Sequence, residues 1–161
     1  MKQTSGFLSL RDFLTSHQYI AVPLRQNIAG LLLVKATING QEGEYILDTG
    51  AGQTVIDDCQ VSPLNLILNH QEMEHTGGGV GAHGIENIPS YNNVLNMNGF
   101  ILNDFTVAVM TLNTAWQSLA AVGAHDTLFG IIGFDVLDRG KAIIDYSSRT
   151  LFLKLATSET I

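Results

Sequence analysis

Residues 31–38 alternate in a way that fits a β-strand with two distinct faces, because successive side chains of a strand point to opposite sides. One face would be wholly apolar and would consist of Leu32, Val34, Ala36 and Ile38. Asn39-Gly40 follows at once, and this dipeptide is a strong signal for a two-residue hairpin turn. Residues 44–47 then return as a second strand, which leads directly into Asp48-Thr49-Gly50. The chain is therefore predicted to fold around a β-hairpin that ends at a carboxylate.

Short strand signals recur along the rest of the chain. Further strands are predicted over residues 19–24, 94–97, 100–102, 105–111, 129–133, 142–146 and 150–155. A short helix is predicted after Ser9, where Asp12 stands at the spacing of a capping box, and a second over residues 115–122, where Thr114 and Gln117 have the same spacing. Closely spaced short strands and 16 glycines in 161 residues predict one mainly β domain with short helices.

Composition excludes several classes of protein. Hydrophobic residues make up 45% of the chain, which is enough for a core and argues against a disordered chain. The 8 Lys and Arg residues face 15 Asp and Glu residues, so the net charge is −7. Such a surface argues against a nucleic-acid partner, because that binding depends on clustered basic residues. No apolar stretch has the length of a membrane span, and the N-terminal residues make a poor secretory signal. We expect no nucleic-acid partner, no membrane partner and a cytoplasmic location.

The residues that often bind metals are poorly placed to do so. A lone Cys59 excludes both a disulfide framework within the chain and a cysteine-based zinc site. His70, His75 and His83 are separated by five and eight positions, which matches no standard zinc pattern. We therefore expect neither a metal nor a cofactor. Trp116 lies in the second predicted helix and is expected to belong to the core or to cover it.

Asp48 is the strongest candidate for a catalytic residue. An apolar strand delivers its carboxylate into a turn of small residues, and a second apolar strand resumes after Gln53. Loop tips held by rigid strands are frequent positions for catalytic groups. Gly50 and Gly52 would permit backbone approaches that a Cβ atom blocks. The alternative is an ordinary β-turn in which Asp48 bonds to its own backbone.

The second half of the chain carries matching motifs. Phe129-Gly130-Ile131-Ile132-Gly133 opens a short helix, Ala142-Ile143-Ile144-Asp145-Tyr146 follows, and Leu151-Phe152-Leu153 lies near the end. In this order after Asp48-Thr49-Gly50-Ala51, these segments resemble the retropepsin-like aspartic proteases, and most nearly the gag-polyprotein-type aspartyl proteases of bacteria. The resemblance covers residues 30–155 and implies the retropepsin-like acid-protease barrel.

That resemblance also implies a division of the chain into three parts. Residues 1–29 would form an N-terminal extension with a short helix and a strand. Residues 30–155 would form the retropepsin-like domain, and residues 156–161 would be a C-terminal tail.

The resemblance assigns roles to the residues around Asp48, which would be the catalytic carboxylate. Thr49 would hold two active loops together through its hydroxyl, and Gly50 would let the loop pass close to the substrate. Ala51 would complete this supporting loop.

Two further positions and one departure follow from the same resemblance. Ile132 and Gly133 would pack beneath the active loop in a structural role. Relatives often carry Ser or Asp where this chain has Gly52, so hydrogen bonding beside the carboxylate would be weaker here.

Only one Asp-Thr-Gly occurs in the chain. Hydrolysis of this kind needs two carboxylates about 3 Å apart, which cannot both ionise and so share one proton. The ionised group takes a proton from water, and the protonated group donates to the peptide carbonyl. A twofold axis would bring Asp48 of one chain against Asp48 of a second copy. The resemblance therefore predicts an obligate homodimer.

A glycine run occupies residues 76–84, and it contains the G-x-G-x-x-G spacing of dinucleotide sites. That interpretation requires an apolar strand before the run and a helix after it, whereas polar residues precede it and Pro89 follows. The resemblance instead implies a mobile flap that closes over substrate. Its residues would be Gly77, Gly78, Gly79, Val80 and Gly81, although an ordinary exposed turn remains an alternative.

Taken together, the sequence predicts a homodimeric aspartic endopeptidase whose water is activated by an Asp dyad. The substrate would be an extended peptide bound as a β-strand. The alternatives are a non-catalytic dimerisation or peptide-binding module on the same fold and, more weakly, a small-ligand β-barrel.

Overall fold

The computed structural model describes residues 8–72, 74–76 and 85–156. The helices in this part of the chain are α1 (Leu10–Ser16), α2 (Asn113–Ala121) and α3 (Phe134–Arg139), with 3-10 turns at Asp58–Gln60 and His70–Glu72. The first strands are β1 (Tyr19–Gln26), β2 (Leu32–Ile38), β3 (Gln41–Leu47), β4 (Val55–Asp57) and β5 (Glu74–Thr76). The remaining strands are β6 (Ile85–Met97), β7 (Phe100–Met110), β8 (Gly130–Ile132), β9 (Ile143–Asp145) and β10 (Thr150–Lys154).

Six of the described strands close into a barrel in the order β2, β3, β8, β4, β7 and β6, and β6 pairs back onto β2. Two hairpins of this barrel turn at Asn39-Gly40 and Asn98-Gly99, where all four residues have positive φ. Positive φ at both central residues defines the turn type that matches strand twist. The predicted mainly β barrel with short helices is confirmed.

β1 connects the barrel to a smaller sheet. Residues Tyr19 to Pro23 pair with β10, and residues Leu24 to Gln26 pair with β2. Pro23 therefore lies where β1 has a strand on one side only among the described residues, which suits a residue without an N–H donor. β9 pairs with β10 and forms the edge of this sheet in the described part of the chain.

Large apolar side chains from the barrel strands fill its interior. The most deeply buried of them are Val34, Ile38, Tyr45, Ile56, Leu95, Met97, Phe105, Val107 and Ile132. Several pairs lie opposite one another on neighbouring strands, such as Val34 and Tyr45. Burial of such side chains is the main stabilising contribution to the barrel.

The structure confirms one of the two predicted helix caps and contradicts the other. At α1, the Ser9 hydroxyl accepts from the Asp12 amide at 3.1 Å and donates to its carboxylate at 2.6 Å, as predicted. At α2, the expected cap at Thr114 was wrong, since Leu112 occupies the N-cap position without a side-chain hydrogen bond. The helices of the described residues are all too short to cross a bilayer.

Candidate active site

The Asp48 loop is attached to the barrel at the end of β3. The Asp48 amide donates to the Ile132 carbonyl at 3.0 Å, which extends the parallel pairing of β3 with β8 by one residue. The carboxylate is exposed, and its Oδ1 accepts from the Gly50 amide at 2.8 Å. The Ala51 amide donates to the Asp48 carbonyl at 3.3 Å. The loop backbone is therefore held by hydrogen bonds at Asp48 and at Ala51, and the Asp48 carboxylate faces solvent.

Gly133 lies directly beneath the returning half of this loop. A Cβ atom at position 133 would stand 2.6 Å from both the carbonyl carbon and oxygen of Gln53, and 2.8 Å from the carbonyl oxygen of Ala51. Real Cβ atoms do not approach backbone so closely, so no larger residue fits without displacing the loop. The next residue, Phe134, donates its amide to the Ala51 carbonyl at 2.7 Å. Ile132, which precedes them, is fully buried in the barrel.

A buried hydroxyl links the loop to α3. Thr54 has no exposed surface, and its Oγ1 donates to Asp135 Oδ1 at 2.8 Å and accepts from the Gly133 amide at 3.2 Å. Asp135 Oδ1 also accepts from the Val136 amide at 3.0 Å, in the first turn of α3. A buried hydroxyl whose donor and acceptor are both satisfied holds its neighbours in one arrangement. Sequence reasoning missed this connection because Thr54 and Asp135 are 81 positions apart.

The aspartyl protease family matches this chain over residues 34–136. The chain belongs to the aspartyl protease family. No curated protein sequence matches it.

Solved structures of aspartic proteases share the fold. A retropepsin-like aspartic protease from Rickettsia conorii matches with a TM-score of 0.56 and 18% identity, over 85% of this chain and 90% of that chain. The retroviral protease-like domain of Ddi1 from Leishmania major matches with a TM-score of 0.55 and 18% identity, over 81% of this chain and 98% of that chain. The retropepsin-like fold predicted from the sequence is confirmed.

Thr49 lies on the surface of this aspartyl protease, beside Asp48. It borders a cleft of ≈ 320 Å³ whose other lining residues include Phe134, Leu137 and Ile144. Within the described residues its hydroxyl makes no hydrogen bond, so the group is available to an outside partner.

On the outer side of the barrel, Asp57 anchors α2 of the protease. Its Oδ1 accepts from the Leu112 amide at 3.1 Å, and its Oδ2 accepts from Trp116 Nε1 at 2.6 Å and from Cys59 Sγ at 3.1 Å. Burial opposes ionisation of Asp57, but the hydrogen bonds from Leu112, Cys59 and Trp116 outweigh it and hold the pKa below its usual value. The α2 cap missed by sequence reasoning therefore comes from a strand 55 positions away.

Asp57, Asp58 and Cys59 come close enough together to be considered for a metal. Both carboxylate oxygens of Asp57 already accept hydrogen bonds, so this cluster organises α2 instead of presenting free ligands. Burial, followed by the hydrogen bond to Asp57, raises the pKa of the Cys59 thiol, which makes it a weak nucleophile.

The predicted flap residues Gly77, Gly78, Gly79, Val80 and Gly81 lie outside the described residues. The described strands on either side of them, β5 and β6, pair antiparallel, and Thr76 stands opposite Ile85. β5 and β6 are therefore an antiparallel pair, and the flap itself stays a prediction.

Proposed function

We propose that this protein is a homodimeric aspartic endopeptidase in which each protomer contributes Asp48. The proposal rests on one observation. The chain has a single Asp-Thr-Gly, and its carboxylate is exposed at the end of a rigidly held loop, with one side-chain hydrogen bond among the described residues, from Gly50. Hydrolysis by this family's chemistry needs a second carboxylate, and a twofold axis beside Asp48 supplies one.

The chemistry follows from the shared proton. With two carboxylates in contact, one is protonated and the other ionised over an acidic to neutral range. The ionised Asp48 accepts a proton from a water molecule, which attacks the peptide carbonyl carbon, while the protonated Asp48 of the second copy donates to the carbonyl oxygen. The Asp48 that took the water proton then gives it to the peptide nitrogen. The C–N bond breaks as one hydroxyl of the tetrahedral intermediate returns its proton to the Asp48 of the second copy, which restores the shared proton. Gly50 supports this arrangement, since its amide orients one carboxylate oxygen.

The surface around Asp48 is suited to a second copy of the chain. Phe134, which lines the cleft beside Thr49, is 55% exposed, and Tyr146 is 71% exposed. Exposed apolar side chains that lie together favour an interface. A shallow recess that includes Asp48 and Ile144 also borders Tyr146. Apolar side chains therefore lie beside the carboxylate, and pairing of two copies there would cover them and bring the two Asp48 residues together.

β9 adds backbone groups to the same surface. Among the described strands it lies at the edge of its sheet, and its middle residue Ile144 lines the same recess as Asp48 and Thr49. Unpaired edges favour addition of another strand. The free Thr49 hydroxyl would bond across the twofold axis, so that the two active loops hold each other.

Peptide cleavage tests the enzymatic part of this proposal. Wild type is expected to cleave members of a diverse peptide library between pH 4 and 7, and Asp48→Asn is expected to cleave none above background. Asp104→Asn is the matched control, because Asp104 is exposed and has a φ of 50°, which asparagine adopts readily. Equal background in wild type and Asp48→Asn would instead favour a non-catalytic peptide-binding module.

Subunit mixing tests the shared dyad. When wild type and Asp48→Asn are mixed equally and allowed to exchange, activity should fall to about one quarter of that of wild type, because only dimers with two intact chains keep both carboxylates. Activity of about one half would mean that each chain works alone. Sedimentation of the wild type as a monomer at working concentration would also contradict the proposal.

A further inference from the structure

A further cleft, with a volume of ≈ 620 Å³, opens where the start of β7, the end of α3 and the end of β10 meet. Gly140, which caps the end of α3, joins these elements. Its carbonyl accepts from the Lys154 amide at 2.7 Å, and a Cβ atom at Gly140 would stand 3.3 Å from Phe100 Cζ. Residues 48–54, which form the Asp48 loop, do not line this cleft. The cleft is therefore distinct from the candidate active site.

Three positively charged side chains border this cleft, and none of its lining residues is acidic. They are Arg139, Lys141 and Lys154, and we call the site the basic cleft. The chain as a whole has 15 acidic residues against 8 Lys and Arg residues, so its surface in general repels anions. Lys141 lies 3.7 Å from Asp138, but both side chains are more than half exposed and the pair is weak. An anionic ligand is therefore attracted to the basic cleft.

Aromatic rings hold two of these cations without neutralising them. The guanidinium carbon of Arg139 lies 6.0 Å from the centroid of the Phe105 ring, and Lys154 Nζ lies 5.8 Å from the centroid of the Tyr19 ring. Within the described residues, neither cation forms an ion pair with a carboxylate. A ring face attracts a cation but carries no net charge. Both side chains are thus positioned and keep their full charge for a ligand.

Apolar side chains and a strand edge also border the basic cleft. Ile101 is 52% exposed and Leu155 is 37% exposed. Residues Phe100 to Leu102 of β7 pair with β6 on one side, whereas β4 pairs with β7 only from Ala108 to Met110. The other edge of β7 beside Ile101 therefore has no strand partner in the described part of the chain. Such an edge can pair with an extended peptide through main-chain hydrogen bonds.

We propose that the basic cleft binds an extended acidic segment of a partner protein. Its carboxylates lie against Arg139 and Lys154, and an apolar side chain between them lies against Ile101. Charge complementarity selects this occupant, and the apolar residues and the strand edge favour a peptide over a small anion, which would use the cations alone. The inference is independent of the proposed endopeptidase function, because no step of it involves Asp48.

Peptide titration tests the charge requirement. We would follow the anisotropy of short labelled peptides that are identical except for a central Glu-Leu-Glu, Gln-Leu-Gln or Lys-Leu-Lys, using Asp48→Asn so that no cleavage occurs. The Glu peptide should bind saturably and about tenfold tighter than the Gln peptide, because each exposed ion pair adds up to a few-fold in affinity. Added salt should reduce this difference by screening. Equal affinity for the Glu and Gln peptides would overturn the proposal.

Two double variants test whether the charges act at this cleft. Arg139→Gln combined with Lys154→Gln should weaken binding of the Glu peptide about tenfold and leave the Gln peptide unchanged. Lys35→Gln combined with Arg149→Gln removes the same net charge from exposed residues that do not line the cleft, and it should leave both affinities nearly unchanged. Equal losses in the two double variants would mean that only net charge matters, which would overturn the proposal.

A single substitution tests the apolar contact with every charge retained. Ile101→Thr keeps a β-branched side chain at an exposed position of β7 and should fold normally. It should weaken the Glu-Leu-Glu peptide about threefold and leave a Glu-Ser-Glu peptide unchanged, because only the Leu side chain loses an apolar contact. Val94→Thr is the matched control, since Val94 is 40% exposed on β6 and does not line the cleft. Equal losses in Ile101→Thr and Val94→Thr would overturn the proposal.

Calorimetric stoichiometry separates this inference from the proposed function. A site shared by two Asp48 residues takes one peptide per two chains, whereas the basic cleft takes one peptide per chain. One Glu peptide per chain would support the cleft even if wild type cleaved no peptide, in which case the endopeptidase proposal would fail alone. One Glu peptide per two chains, with cleavage by wild type, would assign the peptide to Asp48 and overturn the cleft alone. Absence of peptide binding, with self-association that Arg139→Gln and Lys154→Gln abolish, would assign the cleft to a second copy and overturn the proposal.

Discussion

The two sides of the Asp48 loop are built differently. Beneath the loop, the backbone of Gly133 contacts residues 51–53 so closely that no side chain fits, and the fully buried Thr54 bonds to both Gly133 and Asp135. On the outer side, α2 covers the barrel without one fully buried side chain and is anchored through Asp57. The first side fixes where the carboxylate stands, whereas the second holds a helix on the barrel through hydrogen bonds to one carboxylate. Close backbone packing therefore fixes the Asp48 loop, whereas α2 depends on a few polar contacts.

The largest effect is expected on the rigid side. Gly133→Val should prevent folding or cost about 3 kcal/mol or more, because the new side chain would overlap the backbone of Gln53 and Ala51. Urea unfolding followed by circular dichroism measures this. The matched pair is Gly133→Ala and Gly52→Ala, since a Cβ at Gly52 meets no atom within 4 Å. Similar stability of these two alanine variants would contradict the close-packing argument.

A smaller loss is expected when the buried hydroxyl is removed. Thr54→Val keeps the shape but leaves the Gly133 amide and the Asp135 carboxylate without their partner, which should cost about 1–3 kcal/mol. Under the proposed function, peptide cleavage should also fall, because the loop that holds Asp48 loosens. Thr54→Ser retains the hydroxyl and should lose less in the same unfolding measurement. A Val variant as stable as the Ser variant would show that the hydroxyl is not needed.

On the outer side, the cost of a comparable change should be lower. Trp116→Phe removes the indole donor to Asp57 and should cost about 1.5 kcal/mol, the lower end for a bond to a charged group, because Oδ2 still accepts from Cys59. Thermal unfolding of the variant beside wild type gives the difference. A loss as large as that of Thr54→Val would mean that α2 is held as firmly as the loop support, and the contrast between the two sides would disappear.

The smallest effect concerns the acid stability contributed by Asp126, which follows α2 in the chain. Hydrogen bonds from Arg25, and then from Asn27, hold the pKa of Asp126 below its usual value. A folded-state pKa below the unfolded value stabilises the protein above the unfolded pKa, and this stabilisation is lost as the pH falls through the folded pKa. Because the Arg25 side chain is half exposed, the contribution should be less than about 1 kcal/mol.

This contribution is measured as the difference in the free energy of unfolding between wild type and Asp126→Asn. Wild type should be slightly more stable than Asp126→Asn near pH 6, and the gap should close as the pH falls below about 4. Lys35–Glu42 provides a control, since that pair is more exposed, and Glu42→Gln should change stability less. A gap that widens in acid would contradict the sign of the pKa shift.

Turn and helix-capping preferences predicted the structure correctly wherever residues close together in the sequence determine it. The Asn39-Gly40 hairpin forms at the predicted position, because no longer-range contact is needed to favour positive φ there. Ser9 caps α1 for the same reason, as its partner Asp12 is three residues away. At α2 the same rule failed, since a carboxylate from β4 satisfies the first amide and leaves Thr114 without a capping role.

The sequence by itself determined most of the barrel strands, the Asn39-Gly40 turn and the position of Asp48 at the end of β3, because alternation and turn chemistry act over a few residues. Strand β6 is longer than predicted, since it begins at Ile85 and not near residue 94. Only the tertiary structure decided what surrounds that carboxylate. Gly133 meets Gln53, Thr54 meets Asp135, and Trp116 meets Asp57 across 59 to 81 positions of chain. Such contacts depend on how strands are ordered around the barrel, and no pattern along the chain encodes which distant donor will face which acceptor.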